Sequence, residues 1–328
     1  MILVRSPLRI TLGGGGTDLP SYYREHEGFV ISAAIDKYIY LNIIKTFKKE
    51  ILIKYSKFET AKKIKDIQHP IVREVLSYFN FKTPHQLEIV SLADIPSGTG
   101  LGSSGSFTTA LIKGCSMFQK RQLSQLEIAE LACHIEIDKL NEPIGKQDQF
   151  ISSFGGLTCF TFQKNDKVSI RPLDISHDTF LDLQDNLLLF FTGFSRSASS
   201  ILVNQNTKSN NNNFEMINNL HTIKKLGYNI YDALIKGKTV LFGELMLEHW
   251  EFKKKRGNNI TNAQIDEWYH LAIKNGAVGG KVVGAGGGGF LMFYAHDKKL
   301  LRKTLNKVGL KEVHFRFDFE GTKNLIIT

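Results

Sequence analysis

The chain has 328 residues, 42% of them hydrophobic and 23% charged, which is enough for one large or two ordinary globular domains. No apolar run approaches the ~20 residues of a membrane span, and three widely spaced cysteines form no disulfide or metal pattern. We therefore expect a reduced cytoplasmic protein without membrane association. The formal net charge of +10 would suit nucleic acid, phosphorylated small molecules or a merely basic surface, but no aromatic-basic repeat supports nucleic acid.

The first segment predicts a strand followed by a glycine-rich turn. Residues 2–12 alternate like a strand and include Arg9, and four consecutive glycines follow at 13–16. Glycine loses more conformational freedom on folding than any other residue, so this run indicates close approach of a ligand or another segment. A flexible turn is the alternative, although the next residues, T-D-L-P at 17–20, are typical of an ordered turn.

A second glycine-rich loop lies between a predicted strand at 86–92 and a predicted helix at 106–118. Before it, residues 28–45 predict a pair of strands and residues 61–79 a helix. The loop, S-G-T-G-L-G-S-S-G at 97–105, holds four glycines and four hydroxyl side chains. A strand, a glycine loop and a helix N-terminus form an anion site, because free backbone N–H groups and the helix dipole favour negative charge. We interpret this loop as a phosphate-binding loop.

Three other interpretations of this loop compete with that one. A Walker A loop requires a lysine after its last glycine, and none is present. Residues 100–105 fit the G-x-G-x-x-G of a dinucleotide-binding unit, but a helix follows where that unit needs a strand ending in an acid. A flexible linker is an alternative by composition, although a strand and a helix adjoin the loop on either side.

The next helix carries a carboxylate in an unusual setting. A capping box at 124–127 begins a helix that we expect to end near residue 140. At 100° per residue, Glu136 lies over Ala129, Ala132 and Cys133, a face of small residues. Because glutamate is rarely buried unpaired, it predicts either an ion pair with a lysine or, as we prefer, a magnesium ligand.

The remaining segments complete the candidate set. Asp148, in G-K-Q-D-Q-F, is either an N-cap or a catalytic group. We place a domain boundary near 180, giving domains 1–180 and 181–328. Arg196, among serines, predicts a phosphate or polyol contact or an exposed loop arginine. The asparagine-rich stretch 204–213 predicts a mobile loop, and the basic run 253–256 is either solvated surface or a substrate-phosphate site.

Several of these segments resemble the motifs of the GHMP small-molecule kinases. P-S-G-T-G-L-G-S-S-G-S at 96–106 resembles their phosphate loop, and R-x-x-L-x-G-x-x-T-D at 9–18 resembles the galactokinase-like branch. G-x-x-D-Q-F at 145–150 and the glycine-rich stretch 279–289 also match. The resemblance implies an α+β fold of two domains, the first ribosomal-protein-like and the second ferredoxin-like, with ATP and substrate in the cleft between them.

The same resemblance implies roles for individual residues. It implies that Mg²⁺ is held by Ser104 and Glu136, that Arg9 lies beside the transferred phosphoryl group, and that Asp148 orients or deprotonates the acceptor hydroxyl. The ATP-binding set is Pro96, Gly98, Gly100, Leu101, Gly102, Ser103, Ser104 and Gly105. The substrate-binding set is Gly14, Gly15, Gly16, Thr17, Asp18, Arg196, Lys254, Gly286 and Gly287.

Within the family, F-T-G-x-S-R-x-S, H-W-E-F-K-K-K and K-V-V-G-A-G-G-G-G-F look like the D-glycero-D-manno-heptose 7-phosphate 1-kinases. That branch implies phosphorylation of an anomeric hydroxyl to a 1,7-bisphosphate, for GDP-heptose and surface polysaccharide synthesis. The second phosphate needs a second cationic site, for which Arg196 and residues 253–256 are candidates. An L-fucokinase-like sugar 1-kinase and a non-catalytic nucleotide- or sugar-binding sensor remain alternatives. Galactokinases carry Glu-His where this chain has Gly15 and Gly16, which argues against galactose.

Overall fold

The computed structural model describes residues 1–81, 86–195, 198–211, 213–257 and 259–327. Short 3-10 and π-helical segments occupy Ile64–Asp66 and His134–Lys139, respectively. The other helices and strands, in chain order, are β1 (Ile2–Gly13), α1 (Pro20–His26), β2 (Gly28–Ile44), β3 (Ile51–Lys54), β4 (Phe58–Ala61), α2 (Pro70–Tyr78), β5 (Leu87–Ala93), α3 (Ser103–Phe118), α4 (Gln125–Cys133), α5 (Gln147–Phe154), β6 (Leu157–Phe162), β7 (Val168–Pro172), α6 (His177–Asn186), β8 (Leu187–Phe191), α7 (Ala198–Asn210), α8 (Phe214–Ile235), α9 (Thr239–Lys254), α10 (Ala263–Lys274), β9 (Ala277–Val282), β10 (Phe290–Ala295), α11 (Lys298–Lys307), β11 (Lys311–Glu312) and β12 (Lys323–Ile327).

The larger sheet is built around β2, which pairs with β1, β5 and β6. The two strands predicted for residues 28–45 are one strand of 17 residues, so that prediction is wrong. The predicted break falls at Asp36 and Lys37. There the chain does not turn, and only the register of β2 against β1 shifts. A bulge bends a strand while letting it continue, so polar residues at this point do not end β2.

The smaller sheet has the order β11-β8-β10-β9, with its strands paired antiparallel. In chain order, helices lie between β8 and β9 and between β10 and β11. This is the βαββαβ arrangement expected of a ferredoxin-like domain. After it, β12 returns to pair with β1 of the larger sheet. The boundary at residue 180 stays a prediction. No described helix is both long and apolar enough to span a membrane.

Buried hydroxyl groups fix α3 against the elements around it. Ser106 donates to the carbonyl of Pro7 at 2.7 Å, and its oxygen is 2.9 Å from that of Ser152 in α5. One turn further along, Thr109 contacts Ser6 of β1 at 2.8 Å between side-chain oxygens. Since buried polar groups need partners, these bonds specify how α3 sits on β1 and α5. They thereby position the two elements that carry Arg9 and Asp148.

Two predicted segments have a different structure. Of the helix predicted over 61–79, only the part from Pro70 is an α-helix, which has proline at its first position, where its missing N–H is harmless. The asparagine-rich stretch predicted as a mobile loop is helical through residue 210, in α7. Ile201, Gln205 and Ser209 are buried at four-residue spacing, the period of one helix face. Polar composition concealed this periodicity.

Candidate active site

A cleft with a volume of about 900 Å³ is lined by residues from both halves of the chain. Its walls include β1 and the turn after it, the 97–105 loop, the π-helical segment and α5. The second half contributes α7, α9, β9 and the loop that follows β9. The glycine-rich stretches identified in the sequence therefore meet in one place.

The 97–105 loop has the backbone of an anion-binding loop. Gly98, Gly100 and Gly102 have φ values of 74°, 81° and 78°, and α3 begins directly afterwards at Ser103. Residues with left-handed backbone that alternate with residues of negative φ form a concave nest of N–H groups. The helix N-terminus adds its partial positive charge. The loop also touches the 283–289 loop, since a Cβ on Gly100 would lie 2.6 Å from the carbonyl oxygen of Val283.

Arg9 and Asp148 form a bidentate ion pair beside this loop. Arg9 Nε donates to Asp148 Oδ1 at 2.7 Å and Nη2 donates to Oδ2 at 2.9 Å, while Nη1 donates to the carbonyl oxygen of Gly100. The arginine side chain is 8% exposed and the aspartate side chain 28%. A Cβ on Gly102 would lie 3.2 Å from Asp148 Cγ, so the carboxylate rests directly against the loop. The aspartate therefore adjoins the place where a phosphate on the loop would lie.

Glu136 is buried with 1% exposure and faces the beginning of α3. Ser104 Oγ donates to its Oε2 at 2.6 Å, and Gln149 Nε2 donates to its Oε1 at 3.1 Å. Burial raises the pKa of Glu136 to about 7, an effect that hydrogen bonds from Ser104, Gln149 and Thr108 partly offset. Glu136 lies in the π-helical segment, a form often found at functional sites. No lysine is within ion-pair distance of it among the described residues.

Asp18 is the acidic group of the turn after β1. The backbone N–H of Gly16 donates to its Oδ1 at 3.0 Å and that of Gln147 to its Oδ2 at 3.3 Å. Burial, together with the nearby charge of Asp148, raises the pKa of Asp18. Thr17 is fully buried, and its hydroxyl is bonded to the backbone of Gly14 and Phe29. Asp18 thus faces the cleft, while Thr17 holds the turn together.

We expect Gly14 to be required for stability. It has φ +77°, and a Cβ there would lie 1.9 Å from the carbonyl oxygen of Phe29. Gly14→Ala adds a steric cost of about 1–3 kcal/mol to a left-handed backbone cost of about 1–2 kcal/mol. Gly193 has the same φ, with no described atom within 4 Å of where its Cβ would lie, so Gly193→Ala isolates the backbone cost. Urea denaturation of both variants measures the difference, and equal losses would contradict the steric argument.

A group of four basic side chains, which we call the basic cluster, lines the cleft beside this turn. It consists of His249 and Lys253 of α9, Arg256 just after α9, and Lys281 of β9, all at most 6% exposed. Of the basic run 253–256, the sequence predicted Lys254 as a substrate-binding residue, but that side chain pairs with Glu251 at 2.8 Å and does not line the cleft, whereas Lys253 and Arg256 do. The spacing of residues 249, 253 and 256, which is i, i+4, i+7, could have identified the correct face.

The other end of the cleft is aromatic and apolar. The His69 ring stacks on Phe107 with centroids 4.9 Å apart, and Tyr55 meets the His69 ring edge-on at 4.8 Å. Ile71 and Leu92 also line this end. His69 Nδ1 is buried and has no hydrogen-bond partner in the described part of the chain. Nothing in the sequence pattern singled these residues out, since they come from four separate segments.

The structure brings most of the sequence-predicted residues to the cleft. Those that line it are Arg9, Gly15, Gly16, Asp18, Pro96, Gly98, Gly100, Gly102, Ser103, Ser104, Gly105, Glu136, Asp148 and Gly286. Leu101 is buried in the core, and its carbonyl accepts from the backbone N–H of Arg9. Gly14, Thr17, Lys254 and Gly287 do not line the cleft. Arg196 lies outside the described residues.

Comparison with known proteins finds two family models and several relatives. The model of the GHMP kinases N terminal domain matches residues 69–156, and that of the GHMP kinases C terminal matches residues 230–311. The chain is 31% identical to D-glycero-alpha-D-manno-heptose 7-phosphate kinase of Campylobacter jejuni, over 98% of this chain and 97% of that protein. It is 27% identical to L-fucokinase/L-fucose-1-P guanylyltransferase of Bacteroides fragilis, over 92% of this chain and 36% of that protein.

Among solved structures, the crystal structure of a D-glycero-D-manno-heptose 1-phosphate kinase from Bacteroides thetaiotaomicron superposes with a TM-score of 0.81. The two chains are 26% identical, and the match covers 100% of each. The similarity therefore extends over both sheets and the cleft between them.

Proposed function

The chain belongs to the GHMP kinases, and we propose that it transfers phosphate from ATP to the anomeric hydroxyl of D-glycero-D-manno-heptose 7-phosphate. ATP use follows from the family. The observation that carries the proposal is the contact of Asp148 with the 97–105 loop, which puts an acceptor-orienting carboxylate beside a phosphate-binding backbone. The sugar assignment is supported by similarity along nearly the whole chain to a heptose 7-phosphate kinase.

The proposed mechanism consists mainly of positioning and charge neutralisation. Backbone N–H groups of the 97–105 loop bind the ATP phosphates. Arg9 places a cation beside the transferred group, where negative charge is spread over the equatorial oxygens. Asp148 accepts a hydrogen bond from the acceptor hydroxyl and aims it at the phosphorus atom. Asp18 and the backbone at Gly15 and Gly16 hold the sugar hydroxyls.

The residues around Glu136 suit Mg²⁺. A carboxylate and the Ser104 hydroxyl would supply hard oxygen ligands, which Mg²⁺ prefers. Burial raises the pKa of Glu136 to about 7, which agrees with a carboxylate whose charge a bound cation would stabilise. When bound, Mg²⁺ supplies positive charge to the phosphates. We propose that Ser104 and Glu136 hold it and that Gln149 fixes the orientation of the carboxylate.

The aromatic end of the cleft fits the adenine base. Its rings and aliphatic side chains offer an apolar surface on which a flat base can stack. His69 Nδ1 provides a polar atom for the edge of a base. We therefore place the nucleotide between this end and the 97–105 loop, and the sugar between that loop and Asp18.

Measurement of ADP release with Mg-ATP and a panel of sugars tests the proposed function. The panel contains D-glycero-D-manno-heptose 7-phosphate, the unphosphorylated heptose, L-fucose, D-galactose and mannose 6-phosphate. We expect efficient turnover with heptose 7-phosphate alone, and product analysis should locate the new phosphate on the anomeric oxygen. Turnover with L-fucose but not with the phosphosugars would replace the proposal by a fucokinase. ATP binding without turnover of any sugar would favour a sensor.

A further inference from the structure

The mechanism above uses Arg9, Glu136 and Asp148 but leaves the basic cluster without a role. Three of its members are cations buried in the wall of the cleft: Lys253, Arg256 and Lys281, which are 6%, 5% and 2% exposed. The fourth, His249, is 2% exposed. A buried cation is costly unless an anion compensates it, so three in one wall need an explanation.

The protein itself supplies little compensating charge. Lys253 Nζ donates to the carbonyls of Val282 and Gly284, and Lys281 Nζ donates to the carbonyl of Leu12 at 2.9 Å. These partners are neutral dipoles. No ion pair with a carboxylate joins either lysine among the described residues. The carbonyls hold the two lysines in place, but no carboxylate compensates a positive charge on either of them.

Arg256 is held in the same way. Its Nη1 donates to the carbonyl of Gly15 at 2.9 Å and its Nε to Asn219 Oδ1 at 3.2 Å. Burial lowers the pKa of Arg256 to about 10. The negative charge of Asp18 opposes this effect but is the smaller of the two. Burial also lowers the pKa of Lys281 to about 7, with a further lowering from Arg256. The cluster is therefore electrostatically strained in the absence of an anion.

Several hydrogen-bond donors of the cluster have no acceptor. Arg256 Nη2 is buried without a partner in the described chain, and so are both ring nitrogens of His249, one of which is a donor in the neutral imidazole. An ammonium has three donors, of which Lys253 directs two and Lys281 one to the carbonyls above. All four residues line the cleft, so their unused donors call for a ligand with many acceptor atoms and negative charge. A phosphate monoester has three terminal oxygens, and at neutral pH its charge is about −2.

The cluster lies on the sugar side of the cleft. Arg256 bonds to Gly15, and a Cβ on Gly16 would lie 2.2 Å from Arg256 Nη1. Gln205 of α7 donates to the carbonyl of Gly16 at 3.2 Å from the same side. These contacts attach the cluster to the turn that carries Asp18. The ATP phosphates already have the 97–105 loop and Arg9.

We propose that His249, Lys253, Arg256 and Lys281 form a second phosphate subsite, which binds the phosphate already present on the sugar and selects phosphorylated over unphosphorylated acceptors. This inference rests on the proposed function, since it concerns the acceptor of the same reaction. It narrows the candidate run 253–256 to Lys253 and Arg256, leaves out Lys254, and adds His249 of α9 and Lys281 of β9.

Steady-state kinetics of Arg256→Gln with two acceptors tests the subsite. With heptose 7-phosphate, we expect KM to rise about 10- to 100-fold while kcat changes little, because the lost contact is the same in the ground state and the transition state. KM for ATP and for the unphosphorylated heptose should change less than about threefold. Lys255→Gln, an exposed lysine outside the cleft, is the matched control and should leave all values unchanged.

Two kinetic outcomes would overturn the inference. An equal rise of KM for both sugars would mean that Arg256 only supports the Gly15 turn, and a rise for ATP alone would assign the cluster to the nucleotide. If Arg256→Gln does not fold, His249→Gln replaces it. The His249 ring nitrogens have no partner in the described chain, so this variant removes no internal hydrogen bond.

A binding measurement separates this inference from the proposed function. Titration calorimetry with inorganic phosphate is performed in saturating Mg-ADP, which occupies the 97–105 loop. It should detect phosphate binding whose affinity falls at least about tenfold in His249→Gln and Arg256→Gln but not in Lys255→Gln. This result would support the subsite even if heptose 7-phosphate is not the acceptor. Absence of phosphate binding, or equal binding by all variants, would overturn the subsite even if heptose 7-phosphate is turned over.

Discussion

Replacing Asp148 by asparagine is expected to lower kcat by about 10²- to 10⁴-fold while leaving nucleotide affinity nearly unchanged. The amide has the shape of the carboxylate, so it can keep one bond to Arg9 and the close contact with Gly102. It lacks the negative charge that attracts and orients the acceptor hydroxyl. Because Asp148 does not bind the phosphates itself, ADP affinity measured by calorimetry should change less than about threefold.

The control for this variant is Asp185→Asn, the same substitution at an exposed position in α6, outside the cleft. It should retain full turnover. If Asp148→Asn turned over the sugar at the rate of the unmodified enzyme, Asp148 would have no part in the reaction. A large loss of ADP affinity would instead mean that the Arg9–Asp148 pair maintains the phosphate loop rather than the acceptor.

Replacing Glu136 by glutamine is expected to lower kcat at least about 100-fold without lowering stability, a combination that a structural residue would not show. The charge lost is the one proposed to hold Mg²⁺, so activity should recover partly at high Mg²⁺. Burial raises the pKa of Glu136 to about 7, which means that its surroundings disfavour the carboxylate when no metal is present. A neutral amide of the same size should therefore unfold at the same temperature or a higher one.

The matched control is Glu130→Gln, at an exposed position in the preceding helix, α4. We expect both its activity and its thermal midpoint to be unchanged. The magnesium assignment would be wrong if Glu136→Gln kept normal activity at ordinary Mg²⁺ concentrations. A strongly lowered thermal midpoint would show that Glu136 instead anchors Ser104 and Gln149 as a structural group.

Local patterns predicted those parts of the site whose conformation depends on adjacent residues. The alternating glycines at 98, 100 and 102 require left-handed backbone, and the strand before them and the helix after them have ordinary periodicity. The capping box likewise marked the beginning of α4. The same local reasoning failed for β2 and α7. In each case polar residues suggested a break, while contacts with neighbouring elements stabilised a continuous strand or helix.

The choice of side chain within a motif was less predictable. Residues 253–256 are basic at every position, so composition could not show which of them face the cleft. Their orientation depends on where α9 packs, which places Lys253 over the carbonyls of Val282 and Gly284 and directs Lys254 toward Glu251. The π-helical geometry around Glu136 is also outside the regular 100° spacing used to assign its face.

Residue type and short spacing were sufficient to predict the phosphate loop, the candidate roles of Arg9, Glu136 and Asp148, and the family. The pairing of Arg9 with Asp148, 139 residues away, and the position of the basic cluster in the wall of the cleft are visible only in the folded chain. Such contacts form between elements distant in the chain. They depend on sheet register and helix packing, which follow from the summed burial of many side chains rather than from any single motif.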